Sequence, residues 1–294
     1  MPELPEVETI VRGLRPKLKN RRIVAVWTDW PKYFRPKSEK EFRSHVIGKT
    51  IISIERRAKN ILIHLSDNYI LLIHQKLSGH LLFGKWRKEK NGWQSQITGP
   101  LLEARHHQYI RLIFNLDNGP MLVLSDLRRF AKVLCGTKKE ITNLSDLKNL
   151  GPEPLAPNFT YSKFGKLFIN KKGYIKKVLM DQSFIAGIGN IYADEILWGS
   201  KIHPLKRTEK LNKKNQKTLY QTIRAVLKKA LFLHGSSIDD YRDAFGERGR
   251  YNLVRRVYQR EDKPCYRCGT KIKRIKISGR SAYFCLYCQN IQKL

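Results

Sequence analysis

The chain has 294 residues and carries 58 Lys and Arg against 25 Asp and Glu, a formal net charge of +33. This length suits two or three domains, and the positive charge favours a polyanionic partner, most simply nucleic acid. No apolar run is long enough to cross a bilayer and the acidic N-terminus lacks the apolar core of a signal peptide, so we expect a soluble, cytoplasmic protein with no membrane partner.

The N-terminus combines a proline at position 2 with the start of a helix. Pro5 suits the first turn of a helix, and the apolar residues that follow recur at helical spacing. If Met1 is removed after synthesis, Pro2 presents a secondary amine beside the carboxylate of Glu3. An α-amino group has a pKa of about 7.7–8, so much of it is neutral near pH 7. Attack of a secondary amine on a sugar aldehyde carbon gives a permanently charged iminium, which is a form of covalent catalysis. A Met-Pro start is also common in proteins in which the N-terminus has no catalytic role.

Between the first helix and about residue 136 the pattern is typical of short antiparallel strands. Apolar residues alternate in several runs, and turn residues separate them. The runs lie at 51–54, 61–65, 69–73 and 110–116, with turns at 66–68 and 117–120. Residues 85–105 are polar and weakly patterned, which indicates a loop or an extended hairpin. Short strands joined by hairpin turns predict an antiparallel sandwich or barrel.

A proline-rich stretch then separates the strands from a helical region. Residues 150–157 contain three prolines, which disfavour both helix and central strand, so we predict a linker within 137–160. A helix is predicted to end near residue 182, and Asn190 is expected to be the N-cap of the next helix. Beyond it, apolar residues at 219–230 have helical spacing, and Gly235 is a helix stop.

Cysteine spacing near the C-terminus predicts a metal site. Two Cys-x2-Cys pairs lie sixteen residues apart: Cys265 and Cys268, then Cys285 and Cys288. This arrangement is typical of one structural, tetrahedral zinc ion rather than of disulfides. The fifth cysteine, Cys135, is expected to be a small buried hydrophobic residue. Residues 278–281 predict the tip of a hairpin with Arg280 facing outward, where it could meet a phosphate.

Three strings together resemble one protein family. The N-terminal nine residues, Met-Pro-Glu-Leu-Pro-Glu-Val-Glu-Thr, resemble the start of the bacterial formamidopyrimidine-DNA glycosylases of the Fpg/Nei family. Residues 175–195 resemble the helix–two-turn–helix motif of that family, and residues 265–288 resemble its zinc hairpin. The resemblance covers nearly the whole chain and is weakest at 85–105 and 236–262.

The resemblance implies an α+β multidomain fold and a monomer associated with the nucleoid. The implied fold has an N-terminal antiparallel β-sandwich with an N-terminal helix, a helical helix–two-turn–helix domain and a C-terminal zinc-finger β-hairpin. The implied boundaries are 1–136 for the catalytic β-sandwich domain, 137–160 for the linker, 161–240 for the DNA-binding helical domain and 241–294 for the four-cysteine zinc-finger domain.

The resemblance assigns roles to ten residues. The implied catalytic residues are the nucleophile Pro2, the general acid/base Glu3, the positioning residue Glu6, and Lys59 and Arg280 at phosphates of the lesion. The implied DNA-binding residues are Leu77, Arg128 and Phe130, which enter the duplex, and Lys176 and Asn190, which hold its backbone. Leu77 and Ala131 depart from the family, in which methionine and glycine are usual.

The implied function is that of a bifunctional DNA glycosylase and AP lyase of base-excision repair. It would remove 8-oxoguanine and formamidopyrimidines from double-stranded DNA through a Schiff base on the N-terminal proline, followed by β,δ-elimination. Its partner would be double-stranded DNA with a damaged base or an abasic site, and its cofactor one structural zinc ion. Two alternatives stay open: a Nei-like glycosylase for oxidised pyrimidines, and a non-catalytic damaged-DNA-binding protein.

Overall fold

A computed structural model describes residues 1–90, 92–102, 107–238 and 240–290. Contacts divide the chain into two compact units, Met1–Lys148 with Leu233–Arg250, and Asn149–Phe232 with Tyr251–Leu294. Within the described ranges, no helix has the length and apolar character required to cross a membrane.

The first unit consists of two four-stranded antiparallel sheets with a helix at the N-terminus. Its first two helices are α1 (Leu4–Leu18) and α2 (Glu39–Val46), with a 3-10 turn at Pro31–Phe34. The strands of the two sheets are β1 (Ile23–Thr28), β2 (Ile51–Arg57), β3 (Asn60–Leu65), β4 (Tyr69–His74), β5 (Gly79–Gly84), β8 (Ile110–Leu116), β9 (Met121–Asp126) and β10 (Lys132–Thr137). The strand orders are β1-β8-β9-β5 and β10-β4-β3-β2, and one apolar core takes residues from α1 and from both sheets. The predicted sandwich and N-terminal helix are confirmed.

Helix α2 corrects the expectation of strands alone between the first helix and residue 136. The hydroxyl of Ser38 caps the helix by accepting a hydrogen bond from Glu41 N at 3.2 Å. Phe42 and Val46, one turn apart, are fully buried. A short helix with only two core residues gives a weak periodic pattern. The Ser-x-x-Glu sequence at its start is the one local signal that indicates this helix.

Two stretches that the sequence leaves poorly defined contain regular structure. Strands β6 (Trp86–Glu89) and β7 (Gly92–Ser95) pair as a hairpin, one of the two forms expected for 85–105, while residues 91 and 103–106 lie outside the described residues. The predicted linker begins with two short helices, α3 (Lys138–Thr142) and α4 (Ser145–Lys148). The domain boundaries themselves stay a prediction.

Residues 233–250 pack with the first unit, although the sequence divides them between the helical and zinc-finger domains. Ser236 N donates to Glu6 Oε1 at 2.8 Å, and Phe83 N donates to Ala244 O at 2.8 Å. A Cβ on Gly13 of α1 would approach the ring of Phe245 to 2.9 Å, so any larger residue there would displace that ring. Hydrogen bonds between residues that are far apart in the sequence therefore hold this segment beside α1 and β5.

The second unit contains the helical region and the C-terminal hairpin. Its elements are α5 (Tyr161–Lys166), α6 (Ile175–Met180), α7 (Asn190–Gly199), α8 (Lys213–Phe232), β11 (Ile272–Ile277) and β12 (Arg280–Cys285), with 3-10 turns at Thr208–Lys210 and Tyr251–Leu253. The buried carboxylate of Glu195 in α7 accepts hydrogen bonds from the backbone N–H groups of residues 256–258 at 2.8–3.0 Å. Burial raises the pKa of Glu195, and these donors oppose that rise. The carboxylate thereby anchors the chain that leads into the hairpin.

Candidate functional site

The N-terminal residues are buried and fixed by a carboxylate. Pro2 is buried directly before α1, and Glu3 and Glu6 are only 4% and 2% exposed. Glu6 Oε2 accepts a hydrogen bond from Glu3 N at 2.9 Å, which holds the residue next to Pro2. Met1, in contrast, is 44% exposed. The structure therefore brings three predicted catalytic residues together at the start of one helix.

The other oxygen of the Glu6 carboxylate holds residues 235–236. It accepts from Ser236 N, and a Cβ on Gly235 would lie 2.7 Å from the same oxygen. Gly235 also has a φ of +82°, a conformation that favours glycine. The hydroxyl of Tyr241 donates to Glu6 O at 3.3 Å. The sequence gives no sign of these contacts because their partners are more than 200 positions apart.

Lys59 lies in the tight turn between β2 and β3, after Ala58, whose φ is +54°. It is one of two lysines whose charge acts on His74 at the end of β4. Burial, then Lys76 and Lys59, lower the pKa of His74 to about 3, so its imidazole is neutral at physiological pH. Its Nδ1 accepts a hydrogen bond from Lys76 N at 3.0 Å. His74 was not predicted, since a histidine at a strand end carries no distinctive pattern.

The three residues predicted to enter the duplex, here called the wedge, are Leu77, Arg128 and Phe130. They lie on two loops, the wedge loops, that adjacent strands bring together. Leu77 lies between β4 and β5, while Arg128 and Phe130 lie between β9 and β10. Gly79 of β5 pairs with Asp126 of β9, so the loops begin side by side. Leu77 is 41% exposed and Phe130 is 50% exposed, and the guanidinium of Arg128 lies 4.7 Å from the centroid of the Phe130 ring. An ordinary core role for either apolar side chain is excluded by this exposure.

Lys176, which the resemblance assigns to the DNA backbone, lies in a buried ion pair. It is 1% exposed; its Nζ lies 2.7 Å from Asp194 Oδ1 and also donates to Ser281 O. Asp194 Oδ2 accepts from Tyr283 N at 3.0 Å. Burial raises the pKa of Asp194 to about 7, and the Lys176 ammonium opposes that rise. The pair joins α6 and α7 to β12, the strand that starts at Arg280.

Asn190 needs a correction, because it is the first residue of α7 and the N-cap is Gly189. The turn before it is shaped by Gln182, whose Nε2 donates to Ile188 O at 2.8 Å and whose Oε1 accepts from Gly187 N at 2.9 Å. Asn190 Oδ1 is buried and has no hydrogen-bond partner among the described residues. The one-residue shift follows from side-chain bonds that fix the turn, which a capping rule does not include.

A cavity of about 540 Å³ lies between α6 and the tip of the C-terminal hairpin. The tip is a two-residue turn in which Ser278 and Gly279 have φ values of +46° and +76°, and Arg280 follows it, exposed as predicted. Five cationic residues line the cavity: Lys171, Lys172, Lys176, Lys177 and Arg280. Such a lining suits a polyanion.

The four C-terminal cysteines fit one zinc ion. Their sulfur atoms all lie within 4.8 Å of one another, and three sulfur pairs are 3.4–4.0 Å apart. Four zinc–sulfur bonds of about 2.3 Å in a tetrahedron require sulfur atoms about 3.8 Å apart. N–H donors face the site as well, with Trp198 Nε1 3.4 Å from Cys265 Sγ. The predicted single structural zinc ion is confirmed.

Comparison with protein-family models divides the chain into three matched regions. Residues 1–133 match the formamidopyrimidine-DNA glycosylase N-terminal domain, and residues 150–242 match the H2TH domain of the same enzymes. Residues 262–291 match the zinc finger found in FPG and IleRS. The four cysteines lie inside this last match.

Two curated relatives are similar to the chain over its whole length. The formamidopyrimidine-DNA glycosylase of Pelotomaculum thermopropionicum is 37% identical, over 99% of this chain and 100% of the relative. The formamidopyrimidine-DNA glycosylase of Chloroflexus aurantiacus is 40% identical, over 98% of each.

Solved structures with the same fold are complexes of the Lactococcus lactis Fpg with DNA. A mutant bound to Fapy-dG containing DNA has a TM-score of 0.85 and 30% identity, over 98% of this chain and 100% of that one. A complex with abasic-site DNA has a TM-score of 0.84 and 31% identity, over 98% and 99%. A complex with oxidised-pyrimidine DNA has a TM-score of 0.84 and 29% identity, over 98% and 100%. The chain therefore belongs to the formamidopyrimidine-DNA glycosylase family of DNA repair enzymes.

Proposed function

We propose that the protein is a bifunctional DNA glycosylase and AP lyase that removes oxidised purines, 8-oxoguanine and formamidopyrimidines, from double-stranded DNA. The names of its full-length relatives and the Fapy-dG and abasic-site complexes of its structural neighbours support this substrate class. The observation that carries the proposal is the buried position of Pro2. The Glu6 carboxylate fixes the backbone next to it, since Glu6 Oε2 accepts a hydrogen bond from Glu3 N at 2.9 Å. A nucleophile held in this way loses little conformational freedom on reaching the sugar.

In the first step the secondary amine of Pro2, freed by removal of Met1, attacks C1′ of the damaged nucleotide. The C1′–base bond breaks and the base leaves. Pro2 N gives up its proton, and Glu3, which directly follows the nucleophile in the chain, donates a proton to O4′ as the C1′–O4′ bond breaks and the deoxyribose ring opens. The product is an iminium between Pro2 N and C1′.

In the second step the iminium acts as an electron sink. Loss of a proton from C2′ expels the 3′ phosphate, and a second elimination expels the 5′ phosphate. The DNA is left with a one-nucleotide gap bounded by phosphates. Lys59 and Arg280 bind phosphates beside the lesion, and Asn190 binds the DNA backbone. Lys176 acts through Asp194 and β12, since its ammonium is buried.

Extrusion of the base leaves a void in the duplex, which Leu77, Arg128 and Phe130 fill. The four cysteines hold one zinc ion in a closed site without an open coordination position. The zinc ion therefore stabilises the hairpin that carries Arg280 and supplies no step of the reaction.

Borohydride trapping on a duplex with a single 8-oxoguanine tests the mechanism. We expect a covalent adduct with the wild-type protein and none with Pro2→Gly. Glu3→Gln should block base excision and keep DNA binding. Mass spectrometry must find a chain that begins at Pro2; a processed chain that forms no adduct contradicts the mechanism, and a chain that keeps Met1 supports a binding protein without chemistry.

Oxidised pyrimidines are the second candidate substrate. The Lactococcus lactis relative forms a complex with oxidised-pyrimidine DNA, so this fold admits such a lesion. A panel of duplexes with one lesion each decides between the two classes. Excision of the oxidised pyrimidine at least as fast as of 8-oxoguanine supports the second candidate.

A further inference from the structure

Asp126, at the end of β9, is a fully buried carboxylate that collects three hydrogen bonds from separate parts of the first unit. Its Oδ1 accepts from Ser78 Oγ at 2.6 Å. Its Oδ2 accepts from Ala131 N at 2.8 Å and from Tyr33 Oη at 3.1 Å. Burying a carboxylate is costly unless such donors compensate for lost hydration, so this cluster is a defined element of the structure.

Ser78 extends the cluster from one wedge loop to the other. Its hydroxyl donates to Asp126 and accepts a hydrogen bond from Arg128 N at 3.1 Å. Ser78 directly follows Leu77, and Ala131 directly follows Phe130. One serine hydroxyl and one carboxylate thereby fix the backbone beside all three exposed wedge residues.

The loop of residues 127–131 would not keep this shape by itself. Arg129 has a φ of +56°, a left-handed conformation that a residue with a side chain rarely adopts. Its N lies 3.4 Å from Asp126 O, and its guanidinium stacks 4.5 Å from the centroid of Trp30. Burial and the neighbouring Asp126 raise the pKa of Tyr33, so its hydroxyl stays a donor at physiological pH.

We propose that Asp126 and Ser78 are positioning residues that hold the two wedge loops as one preformed unit, ready to enter the gap left by an extruded base. The inference relies on the proposed function, because it assigns a task to the wedge of Leu77, Arg128 and Phe130. Loops that are fixed before DNA binds do not have to be ordered during base extrusion, so extrusion is faster and the complex with the extruded base is more stable. If the hydrogen bonds of Ser78 and Asp126 only capped a turn, their loss would lower the stability of the protein and leave extrusion unchanged.

Ser78→Ala is the decisive variant, because it removes the hydroxyl that joins the loops and leaves the buried Asp126 its other two donors. Two substrates separate positioning from folding: a duplex with one 8-oxoguanine, and a single-stranded oligonucleotide with an abasic site, which has no stacked base to extrude. We expect single-turnover excision from the duplex to fall roughly 10-fold or more, and cleavage of the single strand to stay within about twofold of wild type. Ser44→Ala is the control, since among the described residues the Ser44 hydroxyl donates only to Glu41 O, within α2.

A double-mutant cycle tests whether Ser78 acts through the wedge. In a Phe130→Ala background, Ser78→Ala should cost much less than in the wild type, since the loops then have less to position. Ser78→Thr keeps the hydroxyl and should restore excision. Equal losses on duplex and single strand, or full additivity with Phe130→Ala, overturn the proposal.

A readout without chemistry keeps this proposal separate from the proposed function. The fluorescence of 2-aminopurine placed opposite an abasic-site analogue rises when the wedge unstacks it. We expect the wild-type protein to raise it and Ser78→Ala to raise it less at saturating protein. A wild-type protein that raises the fluorescence but forms no trapped adduct would refute the proposed chemistry alone, whereas equal fluorescence with Ser78→Ala would refute the positioning role.

Discussion

The cavity beside the C-terminal hairpin makes a quantitative prediction about DNA binding. Of its cations, Lys171 is 2.7 Å from Asp181, and a second lysine forms the buried pair described above. The other three, Lys172, Lys177 and Arg280, are exposed and form no ion pair within the part of the chain that the structure describes. Three uncompensated positive charges thus face one cavity that suits a DNA backbone.

The expected effect follows from counterion release. Each phosphate contact on duplex DNA contributes about 0.9 to the slope of log affinity against log salt, so three contacts contribute about 2.7. Between 50 and 200 mM salt, this part of the slope alone lowers affinity by about 40-fold. The variant with Lys172, Lys177 and Arg280 changed to Gln should lack that part, while each single variant should lose about 0.9 of the slope.

Fluorescence anisotropy with a duplex that carries an abasic-site analogue measures this slope over the same salt range. Lys163→Gln is the matched control, because Lys163 is exposed on α5 and does not line the cavity. The salt dependence of Lys163→Gln should be steeper than that of the triple variant by about 2 in the slope of log affinity against log salt, even if Lys163 itself contacts one phosphate. A triple variant with the wild-type slope and full zinc content refutes the assignment of phosphates to the cavity.

Three further outcomes are expected. Lys176→Met removes the cation that is paired with the buried carboxylate of Asp194, so the free energy of unfolding should fall by about 3 kcal/mol. Adding Asp194→Asn should restore part of the loss, and an unchanged midpoint of the thermal melt in Lys176→Met would contradict this expectation. The folded-state pKa of His74 lies below its unfolded value of about 6.5, so the contribution of this residue to stability is present above pH 6.5 and is lost on acidification. Between pH 8 and pH 5, the free energy of unfolding of the wild type, measured by chemical denaturation, should therefore fall by about 2 kcal/mol more than that of His74→Gln. Cys268→Ser should remove about one equivalent of zinc in metal analysis and abolish duplex binding, whereas a zinc-free variant that binds DNA normally would argue against a structural metal.

Local signals in the sequence account for the parts of the fold that could be predicted. The turn at residues 117–120 connects β8 to β9 as expected, since a turn needs only its own four residues. The four cysteines were identified by spacing, because the ligands of a zinc hairpin are close in the chain. The outward position of Arg280 was predicted from the hairpin turn at residues 278–281, whereas the burial of Pro2 was added by the structure.

Residues whose state depends on distant partners could not be predicted. Lys176 looks like any other lysine in a basic helix, and its burial depends on Asp194 in another helix and on Ser281 in the hairpin. Helix α2 was missed because Phe42 and Val46 gain their burial from the sheets rather than from a long periodic pattern. In each case tertiary contacts decide, and a window of ten residues does not contain them.

The buried charges of this chain share an arrangement that burial alone does not explain. Glu6 fixes the backbone at residues 3 and 236, Asp126 fixes both wedge loops, and Glu195 fixes the chain that enters the zinc hairpin. An apolar side chain in place of any of these carboxylates would leave buried N–H donors unpaired, at a cost of about 1–3 kcal/mol for each donor, so each carboxylate also stabilises the fold. Each carboxylate accepts hydrogen bonds from segments that carry, or lead to, the residues assigned to DNA and to the sugar. A fixed and solvent-excluded acceptor defines those positions more closely than apolar packing, since hydrogen bonds constrain both distance and angle.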